Sequence, residues 1–375
     1  MTPQPVNNSD LAQALRLSLI PGVGPRIRSL LINRFGSPSE IFQADEQELL
    51  AISGVGPKVA RAIRDPQWTL KAEEELARCE NLGVELLMCG DSLYPHMLSE
   101  IHDPPEPLYC RGKLTEADRL AVAIVGSRRC SLYGRQQAER IATGLVNAGI
   151  TVISGLARGI DAAAHHGALK AGGRTIAVMA TGLSRIYPPE HVDLANEVRH
   201  SGCLVTECSL DQPPLPGLFP QRNRIISGLS LGVVIVEATR KSGALHTARH
   251  ALEQGREVFA VPGRLDSFSS EGCHDLIRDG VTLIRGVDDI LEELGPLTSP
   301  VKRSPEEEVH IPRELNLNDQ ERTVLNLLDL EPKHLDDILR HSELENSRTL
   351  ATLTVLEMKR LAKRLPGGYL VRSTH

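Results

Sequence analysis

Aromatic side chains make up only 3% of this 375-residue sequence, with five Phe, five Tyr and one Trp. Proteins that hold single strands without sequence preference usually stack bases on many rings, so any such activity here must rest on very few. Cysteine is scattered rather than patterned: Cys79, Cys89, Cys110, Cys130, Cys203, Cys208 and Cys273 form no Cys-x-x-Cys pair and no regular spacing. Neither a metal site nor a disulfide frame is expected. Long hydrophobic runs are missing, and the opening residues Met1-Thr2-Pro3-Gln4 are polar, with no basic stretch before an apolar one. Export and membrane insertion are not expected, and a cytoplasmic location is the simple reading. Excess positive charge is missing as well: the formal net charge is −6. The field of the whole molecule does not attract nucleic acid, so any such site must be local. Nucleotide fingerprints are lacking too. There is no GxxxxGK[ST] loop, the first strand-to-helix turn reads Gly126-Ser127-Arg128 in place of GxGxxG, and no acidic residue ends a second strand to hold a ribose. No cofactor is expected, NAD and ATP included.

What the chain does contain is three apolar strand-like runs that end in turns of small residues and arginine. They read Ala121 to Arg129 (AVAIVGSRR), Thr151 to Asp161 (TVISGLARGID) and Gly232 to Gly243 (GVVIVEATRKSG). Each turn opens a helix. Backbone N–H groups, helix dipoles and cations are thereby aimed at one end of a sheet, as an extended anion requires.

From Ala121 onward, apolar runs alternate with helical stretches: Ala121 to Val125, Thr151 to Ile153, Thr175 to Met179, Cys203 to Thr206, Val233 to Val236, Glu257 to Ala260 and Val281 to Ile284. Strands that are apolar throughout and separated by helices indicate an α/β fold with a Rossmann-like, doubly wound parallel sheet covered on both faces. Residues 1–75 read as an all-α domain with two near copies of one phrase, Ile20-Pro21-Gly22-Val23-Gly24-Pro25 and Ser53-Gly54-Val55-Gly56-Pro57. With Arg26 and Arg28, or Lys58 and Arg61, following, these resemble helix-hairpin-helix turns. Two readings stand: the glycines offer N–H groups to a phosphate, or they only let two helices turn sharply and pack. The sheet domain is expected over 76–295, preceded by one more apolar segment, Val84 to Cys89. A proline-rich, mixed-charge linker is expected over 296–314. Residues 315–375 read as helices near Asp319 to Leu330, Leu335 to His341 and Ser347 to Lys363, then a hairpin from Arg364 to Val371. Three helices and a wing indicate a winged-helix domain.

The phrase from Gly217 to Ser230 is the most specific in the chain. A helix there turns Ile225, Ile226 and Leu229 inward and leaves Arg222 and Arg224 at its N-terminal end, where dipole and guanidinium charge reinforce one another. Phe219, placed just before that helix, is either a stacking platform or a hydrophobic staple. Arg128 either grips a phosphate bidentately or forms a surface salt bridge. Lys241 is either a phosphate cation or a solvated basic residue, the clustering at this end of the sheet favouring the first, and Ser242 reads as an N-cap for the next helix. Asp161 and His165, four apart, could serve acid/base chemistry, but a buried pair anchoring the Gly155 to Gly159 turn is the simpler account.

Taken in order, these motifs resemble the DprA/Smf family, the DNA-processing A proteins. The resemblance rests on Tyr94-Pro95 with Leu98, Asp103-Pro104-Pro105, Leu108-Tyr109 and Gly112, Ile124 to Arg128, Ser154 to Asp161 and Tyr187-Pro188. It continues through Phe219-Pro220 with Arg222 to Ile226, Ser242-Gly243 and Val261-Pro262-Gly263, covering roughly Gly83 to Leu294. It implies a non-enzymatic recombination mediator: a homodimer that binds single-stranded DNA, contacts and loads the RecA recombinase, and protects incoming strands during natural transformation. The family's DNA contacts fall on Gly126, Ser127, Arg128, Phe219, Arg222, Asn223 and Lys241. With the neighbouring turns, the expected binding set also includes Gly155, Arg158, Gln221, Arg224, Ser242 and Gly243. The dimer surface is expected around Leu276, Ile277, Leu283 and Ile284. The chain departs from the family at Ala244-Leu245-His246-Thr247 and at Pro189-Glu190, where some members carry a basic residue. A rival reading is a phosphoribohydrolase of the lysine-decarboxylase-like (LOG) type. Those enzymes carry a PGGxGTxxE loop, whereas this chain has only Pro262-Gly263-Arg264-Leu265.

Overall fold

The computed structural model describes residues 8–295, 301–304, 307–309, 319–328, 333–342, 344–359, 361–365 and 369–372. They fall into two compact units, one drawn from Met1–Thr143 and Ile150–Leu283, the other from Gly144–Gly149 and Ile284–His375.

The first unit is organised by a nine-stranded sheet. Its strands are β1 (Glu85–Leu87), β2 (Leu108–Gly112), β3 (Ala121–Gly126), β4 (Thr151–Ser154), β5 (Thr175–Val178), β6 (Cys203–Thr206), β7 (Gly232–Val236), β8 (Glu257–Ala260) and β9 (Thr282–Leu283). Their spatial order is β1-β2-β6-β5-β4-β3-β7-β8-β9. From β6 to β9 every neighbour runs parallel, which is the expected sheet. The structure adds an antiparallel edge, β1 and β2, paired onto β6. Only the four-residue helix His96–Ser99 stands between β1 and β2, too short to mark five-residue β2 as part of the alternating pattern.

Burial explains why these runs are apolar throughout. In β5 every residue is buried, with Ile176 and Val178 in one apolar cluster and Ala177 in another. Alternate side chains point to opposite faces, so a strand covered on both sides has no polar position to offer. The chain winds outward from β3 through β4 and β5 to β6, then returns so that β7 lies on the other side of β3. The loops leaving β3 and β7 therefore diverge and open a crevice at the C-terminal ends of the strands.

The N-terminal repeat is a real pair. Gly22 and Gly54 both take φ +91, Gly24 and Gly56 cap the helices Pro25–Phe35 and Pro57–Arg64, and each helix has proline in its first turn. The two turns also meet reciprocally: Gly22 faces Val59 of the second copy, and Gly54 faces Ile27 of the first. A separate core of Leu17, Ile20, Leu31, Ile41, Leu49 and Ile63 holds the repeat together. Arg28 does not reach outward. It is half-buried and donates to the carbonyls of Glu106 (2.5 Å) and Pro104 (2.6 Å), fixing the repeat to the segment before β2.

In the second unit, helices Asp319–Leu325, Leu335–His341 and Asn346–Met358 pack with a small sheet of Lys333–His334, Tyr369–Arg372 and Ala362–Leu365. This is the expected winged helix, with a core that includes Val324, Ile338, Leu353 and Leu370. The expected helix from Ser347 to Lys363 ran too far: it ends at Met358, and Ala362 and Lys363 belong to the wing, where alternation replaces the helical period. The helix expected to Leu330 ends at Leu325. Within 296–314, Val301–Ser304 and Glu307–Val309 pair as short antiparallel strands, and the rest lies outside the described residues.

Candidate nucleic-acid interface

The crevice between the loops after β3 and β7 holds a cavity of about 640 Å³. Gly126, Ser127 and Arg128 line it from β3, Thr239, Ser242 and Gly243 from β7, and Phe219, Arg222 and Asn223 from the helix Leu218–Gly228. Close backbone approach builds its floor. A Cβ on Gly126 would stand 1.8 Å from the Val236 carbonyl oxygen, so β3 and β7 can converge only on glycine.

Arg128 is exposed and makes no salt bridge among the described residues. Its guanidinium lies over the Phe219 ring, 5.0 Å from the centroid. The surface-salt-bridge account of Arg128 therefore fails here. It sits in the turn ahead of the helix Leu132–Asn147 rather than at that helix's first residue. Phe219 lies inside its helix, as the second residue, not before it. Its ring borders the cavity and meets Tyr187 edge-on at 5.6 Å and 61°, and from inside the helix it does not hold the position of a staple. Tyr187 was missing from the expected binding set, although Tyr187-Pro188 is one of the motifs that carry the family resemblance.

The two arginines on the same helix do different work from the one expected. Arg222 is 5% exposed, and its Nη1 donates to the carbonyl of Gly155 at 2.6 Å and to that of Val178. Burial pushes its pKa down to about 10, with Asp161 pulling the other way. Arg224 is 4% exposed and is held by Asp103 (2.8 Å) and Glu207 (2.8 Å). Neither stands free at the helix terminus. Arg222 borders the cavity, whereas Arg224 does not and cannot present its charge to a strand without breaking two ion pairs. Gln221 also turns to Glu207, at 3.2 Å. A guanidinium on a helix reads as outward from local pattern alone; only the distant carboxylates reveal it as internal.

Gly155 is similarly occupied. Its N–H goes to Asp161 (3.1 Å), which also accepts from Ala157 (3.3 Å), and its carbonyl goes to Arg222. Asp161 thus anchors the turn by itself, and burial pushes its pKa up. His165 is not its partner: Nδ1 lies 2.7 Å from the Thr175 hydroxyl. Burial pushes the His165 pKa down to about 3. No acid/base dyad is assembled.

Around the rim, Arg158 is exposed and paired with Glu190. Lys241 is exposed and has no partner among the described residues, but it stands outside the cavity lining. Gly243, rather than Ser242, caps the helix Ala244–Glu253, while the Ser242 hydroxyl accepts the Ala244 N–H at 3.3 Å. Asn223 donates to the Gly243 carbonyl at 3.2 Å, joining two walls of the cavity. The Ser127 hydroxyl accepts from the Arg129 N–H at 3.1 Å. Among the described residues no cluster of His, Cys, Asp and Glu is placed to hold a metal, and no helix is long and apolar enough to cross a membrane.

Of the expected dimer residues, Leu283 is 42% exposed, and Leu276 and Ile277 are partly buried against the core. Ile284 is 0% exposed and drops out of any surface.

A family model described as DNA recombination-mediator protein A matches residues 85–295, more than half of the chain. The chain belongs to the DNA recombination-mediator protein A family. The matched span contains both walls of the cavity. Two further models match this family member, a SAM-like helix-hairpin-helix tandem at residues 14–65 and a DprA winged helix domain at residues 309–368. Protein Smf of Escherichia coli is 38% identical, over 79% of this chain and 80% of its own length. The DNA processing protein DprA of Streptococcus pneumoniae is 44% identical, over 54% and 72%. Its X-ray structure superposes with a TM-score of 0.60 at 32% identity, covering 77% of this chain and 99% of that one. DNA processing protein A of Helicobacter pylori, solved in a study of its single-stranded DNA binding mode, superposes with a TM-score of 0.51 at 31% identity, over 56% and 95%.

Proposed function

We propose that this recombination-mediator family member binds single-stranded DNA in the crevice between β3 and β7, without catalysing a reaction on it. The observation that carries the reading is the unpaired Arg128 lying over Phe219 at the cavity mouth. Together they offer one cation to a phosphate and one ring to a base, the pairing that holds a single strand without reading its sequence. The Helicobacter pylori relative's described single-stranded DNA binding supports the same ligand here. Contacts are assigned to Gly126, Ser127, Arg128, Phe219, Asn223, Ser242 and Gly243, with Arg222 beneath them and Arg158 and Lys241 at the rim.

The same reading makes the protein a cytoplasmic mediator that delivers bound strands to the RecA recombinase, including strands taken up in natural transformation, and that acts as a homodimer through Leu276, Ile277 and Leu283. Asp161, the carboxylate in the cavity lining, accepts two backbone N–H groups, which supports the binding reading over the phosphoribohydrolase rival.

Gel-shift titration of the full chain with a single-stranded oligonucleotide and its duplex, with and without RecA, tests the assignment. Preference for the single strand and faster RecA filament formation are expected. Equal affinity for duplex, or release of free base from nucleoside monophosphates, would overturn it.

A further inference from the structure

Glu237 is the residue immediately after β7, and the binding reading gives it no role. It is 4% exposed and takes φ 49. Among the described residues, only Leu156 and Glu237 are non-glycine residues with positive φ. A side chain is held in that region only where its surroundings dictate it, and such residues gather at binding sites.

What dictates it is the turn after β3. The Glu237 carboxylate accepts the Ser131 N–H at 2.7 Å and also the Ser131 hydroxyl, which in turn accepts the Gly134 N–H at 3.1 Å. The fit is tight, since a Cβ on Gly134 would stand 2.5 Å from the Glu237 carboxyl carbon. This anion therefore sits against the first turn of the helix Leu132–Asn147, where the dipole favours it. At the turn's other end, the Ser127 carbonyl accepts the Ile160 N–H at 3.2 Å, and Gly126 abuts the Val236 carbonyl. Arg128 lies between these two clamps. Its backbone is fixed from both sides, and the guanidinium is left to project over Phe219.

We propose that Glu237 is a positioning residue for strand binding: through Ser131 it fixes the turn that presents Arg128, so an acidic side chain at the anion-binding end of the sheet promotes DNA binding. This rests on the single-strand reading above. Simple charge arithmetic points the other way, because removing an anion near a polyphosphate site should tighten binding. The two accounts therefore differ in sign.

The test measures oligonucleotide affinity for Glu237→Ala and Glu237→Gln, each with Arg128 intact and in an Arg128→Ala background. Glu237→Ala should weaken binding roughly tenfold with Arg128 present and add little once Arg128 is gone, the signature of a residue acting through another. Glu237→Gln keeps an oxygen for the Ser131 N–H and should bind within about threefold of the parent. Tighter or unchanged binding by Glu237→Ala, or an equal loss in both backgrounds, overturns the proposal. If Glu237→Ala does not fold, Ser131→Ala decides: a loss that vanishes in the Arg128→Ala background supports the role, and no loss overturns it. Failure of the underlying reading looks different, because the parent chain would not retain the oligonucleotide, or Arg128→Ala alone would bind as the parent does.

Discussion

The guanidinium carbon of Arg128 lies 5.0 Å from the centroid of the Phe219 ring, although the two residues come from different walls of the cavity. The ring orients the cation without neutralising it, so the charge stays available to an anion. Arg128→Ala should weaken single-strand binding and lower the slope of log affinity against log salt by about 0.7, the value for one phosphate contact on a single strand. Affinity titrations at a series of salt concentrations check this; an unchanged slope would remove Arg128 from the contact set.

Phe219 predicts the complementary behaviour. Phe219→Leu keeps apolar volume beside Tyr187 but removes the stacking face, and should cost about 1–3 kcal/mol of binding with the salt slope unaltered. Fluorescence anisotropy with the same oligonucleotide measures both quantities. Full affinity in this variant would leave the ring a packing role only.

Glu190 holds Arg158 at the rim, and both side chains are about half exposed. A strand phosphate must compete with that carboxylate for the guanidinium. Glu190→Gln should therefore bind single strands several-fold more tightly at low salt, with the gain shrinking as salt screens the rim. Weaker binding at low salt would show that the pair itself shapes the rim.

Arg224 predicts a stability effect rather than a local binding effect. Removing it strands Asp103 and Glu207, which are 26% and 10% exposed, so Arg224→Ala should lose about 3–5 kcal/mol of folding stability. Denaturant unfolding checks this. A variant as stable as the parent but defective in binding would return Arg224 to the contact set.

His165 makes stability depend on pH. Its folded pKa is pushed down to about 3 by burial, against an ordinary value of 6.5, so below pH 6.5 the unfolded chain takes a proton that the folded chain refuses. Its contribution is complete above 6.5 and is lost as pH falls toward 3, at no more than about 1.4 kcal/mol per pH unit. Asp161, pushed up by burial, acts in the opposite sense. Comparison with His165→Gln isolates the histidine: urea unfolding at pH 7 and pH 5 should show a smaller loss in the variant.

Much of the architecture was legible because it is local. Strands β3 to β8 appear where apolar runs alternate with helical stretches, and the twin Gly-Val-Gly phrases predict twin turns, because period and turn chemistry are properties of a few neighbouring residues. The end of the sheet that carries the cavity follows from the same signals. Partners across the fold were not legible. Arg224 finds Asp103 at a separation of 121 residues, Ser131 finds Glu237 at 106 and Arg222 finds Gly155 at 67. Sequence by itself therefore determined the parallel part of the sheet and a cluster of arginines near one end, while the strand order and its switch point came with the structure. Only the tertiary structure decided which of those arginines is free: Arg222 and Arg224 are drawn inside by carbonyls and carboxylates brought close by chain winding, and Arg128 is left facing the cavity. A buried cation must be paired where it lies, and no local pattern carries the address of the distant group that pairs it.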